Sequence, residues 1–310
     1  MIAKRNIFKF LLFGFLLLSG ARLGAQIESL ARAQNLLNTK QPDKIDQAVF
    51  TIDSVIKHKD TKGDFVSWTT RAAIYYEVYK RADKYRLNSP IRDTIISSIH
   101  HSDNLKPDST TRVYNQKLLI TLAQGYYNMN IRFLQDSGNA EKSLMAYNRY
   151  KSMYKEIFPK TDFKAKDIEY YLAVSTVYND KYAKDSSEKT ILVSKKAYEK
   201  VLEIDPDNRS ANLGIGLLNY NEATVLIKQL EYEVELDQIE VVQDNVVKLA
   251  KQSEQYILKV YNANKSDAKA VEALYYVYRM LMDKVKFEDF KKKCSELGIT
   301  VNDETASQQK

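Results

Sequence analysis

Apolar residues in this chain recur three, four and seven positions apart, the spacing that puts side chains on one face of a helix. Ser194, Tyr198 and Val201 follow it, and Pro206 ends it, because proline cannot donate the amide hydrogen that the next turn needs. The same closing pattern returns at Ala48, Ile52 and Val55, at Ile95, Ile99, Ser102 and Pro107, and at Ser143, Tyr147 and Tyr150. Another amphipathic stretch precedes each: about Glu28 to Leu37, then Trp68 to Tyr75, Leu119 to Tyr126 and Tyr171 to Tyr178. Asn212, Ile215 and Gly216 begin a further helix. Val271, Leu274 and Tyr278 begin the last pair, whose second helix is predicted over about Phe287 to Leu297. The pattern therefore predicts an all-α chain of about six antiparallel helix pairs, each burying its apolar face against its neighbours.

Composition strengthens that picture. Nine Gly and five Pro are few for 310 residues, and 22 Tyr are many; a β-sandwich would need far more turn formers. The repeats are interrupted by insertions at Asp136 to Asn139, at Asn179 to Ser187, and at the acidic stretch Glu231 to Asp244. Ala223 to Tyr261 has neither Gly nor Pro, which predicts long helices with a turn near Glu235.

The stretch AYEKVLEIDPDN, with Ser194, Tyr198, Val201 and Pro206 at the spacing A-x3-F-x2-A-x4-P, resembles the tetratricopeptide-repeat family. Trp68, Arg71, Ala72 and Tyr75 fit that family's opening W-x2-L-G-x2-Y, with a departure at the Leu. The resemblance implies a right-handed superhelical solenoid whose first helices line a concave, protein-binding groove. Carried over by position, the groove residues are Tyr76 with Glu77, Tyr127 with Asn128, and Tyr220 with Asn221; the other units depart, offering Asn179 with Asp180 and Arg279 with Met280. A Tyr followed by an amide or acid could clasp an extended peptide, although the same residues could simply pack between helices. The family's Lys/Asn clamp for a terminal carboxylate is not supported, since Thr69, Ile120, Leu172 and Leu213 occupy its places. Tyr75, Tyr126, Tyr147, Tyr178 and Tyr198 are expected to pack with their hydroxyls at the rim.

Charge is read after setting aside residues 1–25, where Lys4 and Arg5 precede the apolar run Phe10 to Leu18 and then Leu23-Gly24-Ala25, the layout of a signal peptide. Nine apolar residues fall short of the roughly 20 that span a bilayer, and no Cys stands where a lipid would be attached. The expected divisions are a signal peptide at 1–25, a repeat domain at 26–300 and a disordered tail at 301–310, in a periplasmic or secreted protein with no integral membrane segment after cleavage. Four of the 47 basic residues lie in the signal and none of the 40 acidic ones, so the formal net charge falls from +7 to +3, which makes nucleic acid a poor partner.

Candidate chemistry is sparse. His100 and His101 are neighbours about 100° apart on a helix, unsuited to sharing a metal, and His58 sits between Lys57 and Lys59. No HExxH, GxSxG or Gly-rich phosphate loop occurs. Asp205 and Asp207 suggest a calcium loop but lack the Gly and Glu that would complete it. The lone Cys294 cannot form an internal disulfide. These observations predict a non-enzymatic scaffold without cofactor or metal that binds a protein or peptide in envelope assembly or secretion. A glycan- or nutrient-binding repeat protein is the alternative, weakened by having only Trp68 for stacking.

Overall fold

The computed structural model describes residues 25–136, 138–229 and 236–302. Among them are twelve helices and no strand: α1 (Ala25–Thr39), α2 (Pro42–Val55), α3 (Phe65–Ala82), α4 (Pro90–Asn104), α5 (Ser109–Gln135), α6 (Ala140–Ile157), α7 (Lys164–Asp185), α8 (Glu188–Ile204), α9 (Arg209–Lys228), α10 (Leu236–Ala263), α11 (Ala268–Met280) and α12 (Lys284–Glu296). The starts follow local chemistry. Pro42 and Pro90 stand in first turns, where a missing N–H costs nothing. Asp64, Ser89, Asn208, Asp267 and Asp283 each accept a backbone N–H from the turn they cap, an interaction worth about 1 kcal/mol. Only Lys40 and Gln41 separate α1 from α2, and only Ser186 and Ser187 separate α7 from α8. Connections that short force the partners antiparallel, and α1 with α2, α3 with α4, α7 with α8, α9 with α10 and α11 with α12 pack as hairpins.

The chain divides into two compact units, one comprising α1–α4, α5 as far as Asn130 and α6 from Leu144, the other the remainder of α5 and α6 with α7–α12. In the first unit, Ala33, Ala48, Ile52, Val55 and Ile74 form an apolar cluster joining α1, α2 and α3. Polar groups then stitch α3 to its neighbours. Arg71 donates to Asp53 of α2 and to Ser98 of α4, both at 2.8 Å, and the Tyr75 hydroxyl donates to Asp53 at 2.7 Å. Asn115 of α5, fully buried, donates to Ser102 at 3.2 Å and Asp103 at 2.8 Å, and accepts from Thr69 at 3.2 Å.

In the second unit, Tyr182, Ile191, Tyr198, Val201, Ala211, Ile215 and Leu218 join α7, α8 and α9. A larger cluster around Ile257, Val271, Leu274, Tyr275 and Phe290 joins α9 to α12 and encloses Cys294. Gly216 is where α9 meets α10: a Cβ there would strike Ile257, and the Gly216 carbonyl accepts from Ser253 at 2.7 Å.

The insertion at Asn179 to Ser187 is taken up mostly by α7, which continues to Asp185 and stops at Ser186, where the backbone is left-handed (φ 48°). The sequence expectation and the fold differ at the end of the described chain. The last helix starts at Lys284, a turn before Phe287, under the Asp283 cap. The signal segment ahead of Ala25, the turn near Glu235 and the tail beyond Asn302 lie outside the described residues. No described helix is long and apolar enough to cross a membrane.

Candidate functional site

Of the six groove candidates, Tyr76 and Glu77 have the richest surroundings. Both project from α3 half-buried. The Tyr76 ring stacks with Tyr79 at 6.2 Å, and the Lys80 ammonium lies 5.2 Å over it while pairing with Glu77 at 2.5 Å. Burial pushes the Tyr76 phenol up, with Glu77 adding to the rise. Tyr114, arriving from α5, is pushed up to about 12 by burial and then by Glu77 and Tyr76. Both phenols are therefore hydrogen-bond donors at neutral pH. The cluster combines two aromatic rings with one ammonium and one carboxylate, carried by α3 and α5. Such a set can grip a backbone and a side chain by contact; acid–base work at neutral pH would need groups that titrate there.

Tyr127 and Asn128 belong to the same unit but not to the same spot. They lie thirteen residues beyond Tyr114 on α5, about 20 Å along a helix axis. Tyr127 packs on Tyr150 at 5.1 Å, while the exposed Asn128 accepts from Gln124 at 3.2 Å. Tyr220 and Asn221 belong to the second unit; Tyr220 is half-buried against Tyr276 at 6.3 Å, its phenol raised by burial, and Asn221 is exposed. Of the departing positions, Asn179 and Arg279 are engaged internally, while Asp180 is exposed. Asn179 donates to the Tyr198 hydroxyl at 2.8 Å and accepts from Ser194, which locks α7 to α8, and Arg279 donates to the Asn302 carbonyl at 2.8 Å.

The repeat-position tyrosines do pack, yet several hydroxyls are not left at the rim. Tyr75 donates to Asp53, Tyr178 donates to the Gly138 carbonyl at 2.8 Å, and Tyr198 accepts from Asn179. Packing brings each ring against the neighbouring helix or loop, so the hydroxyl meets a partner before it meets water.

The histidines stand in pairs with other residues. His100 lies 2.6 Å from Glu156, His101 stacks on Trp68 at 3.9 Å, and His58 Nδ1 accepts from the Asp60 amide at 3.4 Å. Among the described residues, no three His, Cys, Asp or Glu side chains gather as a metal would require. Asp205 accepts from Asn208, which is the residue that caps α9. Cys294 is fully buried, and burial pushes its thiol up.

Sequence reasoning missed Lys80, Tyr114 and two arginines, Arg92 and Arg149. Arg92 did leave a signal: it shares the stripe 92, 95, 99, 102 with Ile95, Ile99 and Ser102, so it had to be buried if they were.

No protein-family model matches this chain, and no curated protein matches it either. Among solved structures it is similar to one described as the crystal structure of PilW, a widely conserved type IV pilus biogenesis factor. The likeness covers 87% of this chain and 93% of that one at 12% sequence identity and a TM-score of 0.32, too slight on both measures to bear on function.

Proposed function

We propose that this protein is a tetratricopeptide-like scaffold, exported by way of residues 1–25, that holds an extended segment of a protein partner and does so by contact rather than catalysis. In this reading residues 26–300 are the binding domain, 301–310 a tail, and the setting is the periplasm or the exterior, in envelope assembly or secretion. The observation that carries it is the cluster of Tyr76, Glu77, Lys80 and Tyr114 on α3 and α5, where aromatic rings adjoin a carboxylate and an ammonium as peptide recognition requires. Tyr127 with Asn128 and Tyr220 with Asn221 are the further contacts proposed. Glycan capture draws less support, since the one Trp already stacks on His101 and donates its Nε1–H to the Lys62 carbonyl at 2.8 Å.

Screening the full chain against an arrayed library of extended peptides tests the proposal. Tyr76→Ala is expected to weaken the best binders about tenfold, ~1.4 kcal/mol, with the helical circular dichroism intact. A library without binders, or a Tyr76→Ala protein that binds as the parent does, refutes it.

A further inference from the structure

The loop joining α3 to α4, residues 83–89, is gripped by two arginines that make no described hydrogen bond to a carboxylate. Arg92 of α4 is fully buried. It donates to the Tyr79 hydroxyl at 2.8 Å and to the carbonyls of Arg86 at 3.0 Å and Leu87 at 3.2 Å, while its Nε has no hydrogen-bond partner. Its guanidinium lies over the Tyr79 ring at 4.9 Å and the Tyr126 ring at 4.2 Å. Arg149 of α6 donates to the same Leu87 carbonyl and, at 2.6 Å, to Asn88; it faces the same Tyr126 ring at 5.7 Å. Two guanidiniums thus share one carbonyl and one ring. Asp83, buried in this loop, accepts from Ser89 and lies 3.4 Å from the exposed Arg86.

Beside this pair opens a cavity of about 370 Å³, walled by Asn88, Ile96, Tyr126, Arg149, Ser152 and Met153. Asp93, exposed, also borders it. Ring faces and carbonyl dipoles offset part of the cost of a buried guanidinium, but an anion offsets more. Arg149 commits two of its five N–H donors to the loop, and a planar guanidinium suits a carboxylate better than any other common side chain.

We propose that this cavity receives an acidic side chain, Asp or Glu, of a bound peptide. The carboxylate sits on Arg149 with the Ser152 hydroxyl and the Asn88 amide as further donors, and its stem lies against Ile96 and Met153. Arg92, over the same Tyr126 ring as Arg149, adds a second positive charge nearby. Asp93 opposes the ligand and sets a ceiling on affinity. This assigns a partner class, acidic segments, and relies on the proposed peptide-holding role for the ligand being a peptide; the residues are different from those of the Tyr76 cluster.

Fluorescence anisotropy on the full chain tests it, using a dye-labelled Gly/Ser heptapeptide with a central Glu pair against its Gln counterpart. The Glu peptide is expected to bind about tenfold more tightly, and more weakly at high salt. Arg149→Met should erase that preference, Arg149→Lys should keep part of it, and Asp93→Asn should raise affinity about twofold. Ser152→Asp, at an exposed position, provides a second route to the same loss should Arg149→Met disturb the loop. Equal binding of the two peptides, no binding of either, or a preference that survives both Arg149→Met and Ser152→Asp overturns the proposal. So does competition by free glutarate or inorganic phosphate at concentrations equal to the peptide's, which would mark a small-anion site. If Tyr76→Ala abolishes binding and Arg149→Met does not, the peptide-holding role stands and this site falls.

Discussion

The interiors of the two units solve the same packing problem with different materials. Between α3, α4 and α5, the first unit buries Arg71 partly and Ser98, Ser102, Asn115 and Arg92 completely, each tied to named partners. Between α9 and α12, the second unit buries Ile257, Val271, Leu274, Tyr275 and Phe290 as one apolar cluster, with Asn212, Asn219, Ser253 and Asp267 as the buried polar residues around it. Apolar surface stabilises by area, at about 25 cal/mol per Å², and tolerates sliding. A buried donor stabilises only if its own acceptor is opposite, so a polar seam fixes register at the cost of net gain. Apolar contact thus dominates the packing of the last hairpins, and polar definition of position the loop and helices that frame the two candidate binding features.

The largest expected effect comes from the apolar side. Leu274→Ala, at a fully buried position, should cost about 2–5 kcal/mol in denaturant unfolding; a loss under about 1 kcal/mol would mean that cluster is loosely packed. Next, Asn115→Ala strips partners from Ser102, Asp103 and Thr69 and should cost about 1–3 kcal/mol. A double-mutant cycle with Thr69→Val should then show coupling, and strict additivity would deny the seam its cooperative character. The smallest effect belongs to Asp267, whose carboxyl is held below its ordinary 3.8 by hydrogen bonds from Arg209 and from the Ala270 amide. A depressed carboxylate contributes stability that is present above pH 3.8 and is lost as pH falls toward its folded value. Arg209 is 53% exposed, so screening keeps the contribution small. Asp267→Asn should flatten the acid limb of a thermal-unfolding series; an unchanged limb would place the acid sensitivity elsewhere.

Helix placement was legible because its causes are local. Pro42 and Pro90 announce starts, Asn208 and Asp267 are side chains suited to capping the first turn of the helix that follows them, and the i, i+4, i+7 stripes state which face is buried. The extension of α7 to Asp185 was not, since nothing between Asn179 and Asp185 forbids either a loop or a helix. The site was half legible. Tyr76 and Glu77 could be named from their place after an opening pattern, but Lys80 and Tyr114 join them only through folded geometry. Arg92 could have been singled out as a charge on an apolar stripe; Arg149 could not, because its partners Leu87 and Asn88 lie 62 and 61 residues away.

Cys294 is the chain's only thiol and has no exposed surface. A reagent that modifies sulfur can reach it only in molecules whose closing helix has lifted away from Phe290's neighbours. In the limit where reclosure outruns modification, the labelling rate reports the fraction of molecules in which that end stands open. The native chain therefore carries a built-in reporter of fraying at the apolar cluster between α9 and α12, readable by mass spectrometry with no residue changed.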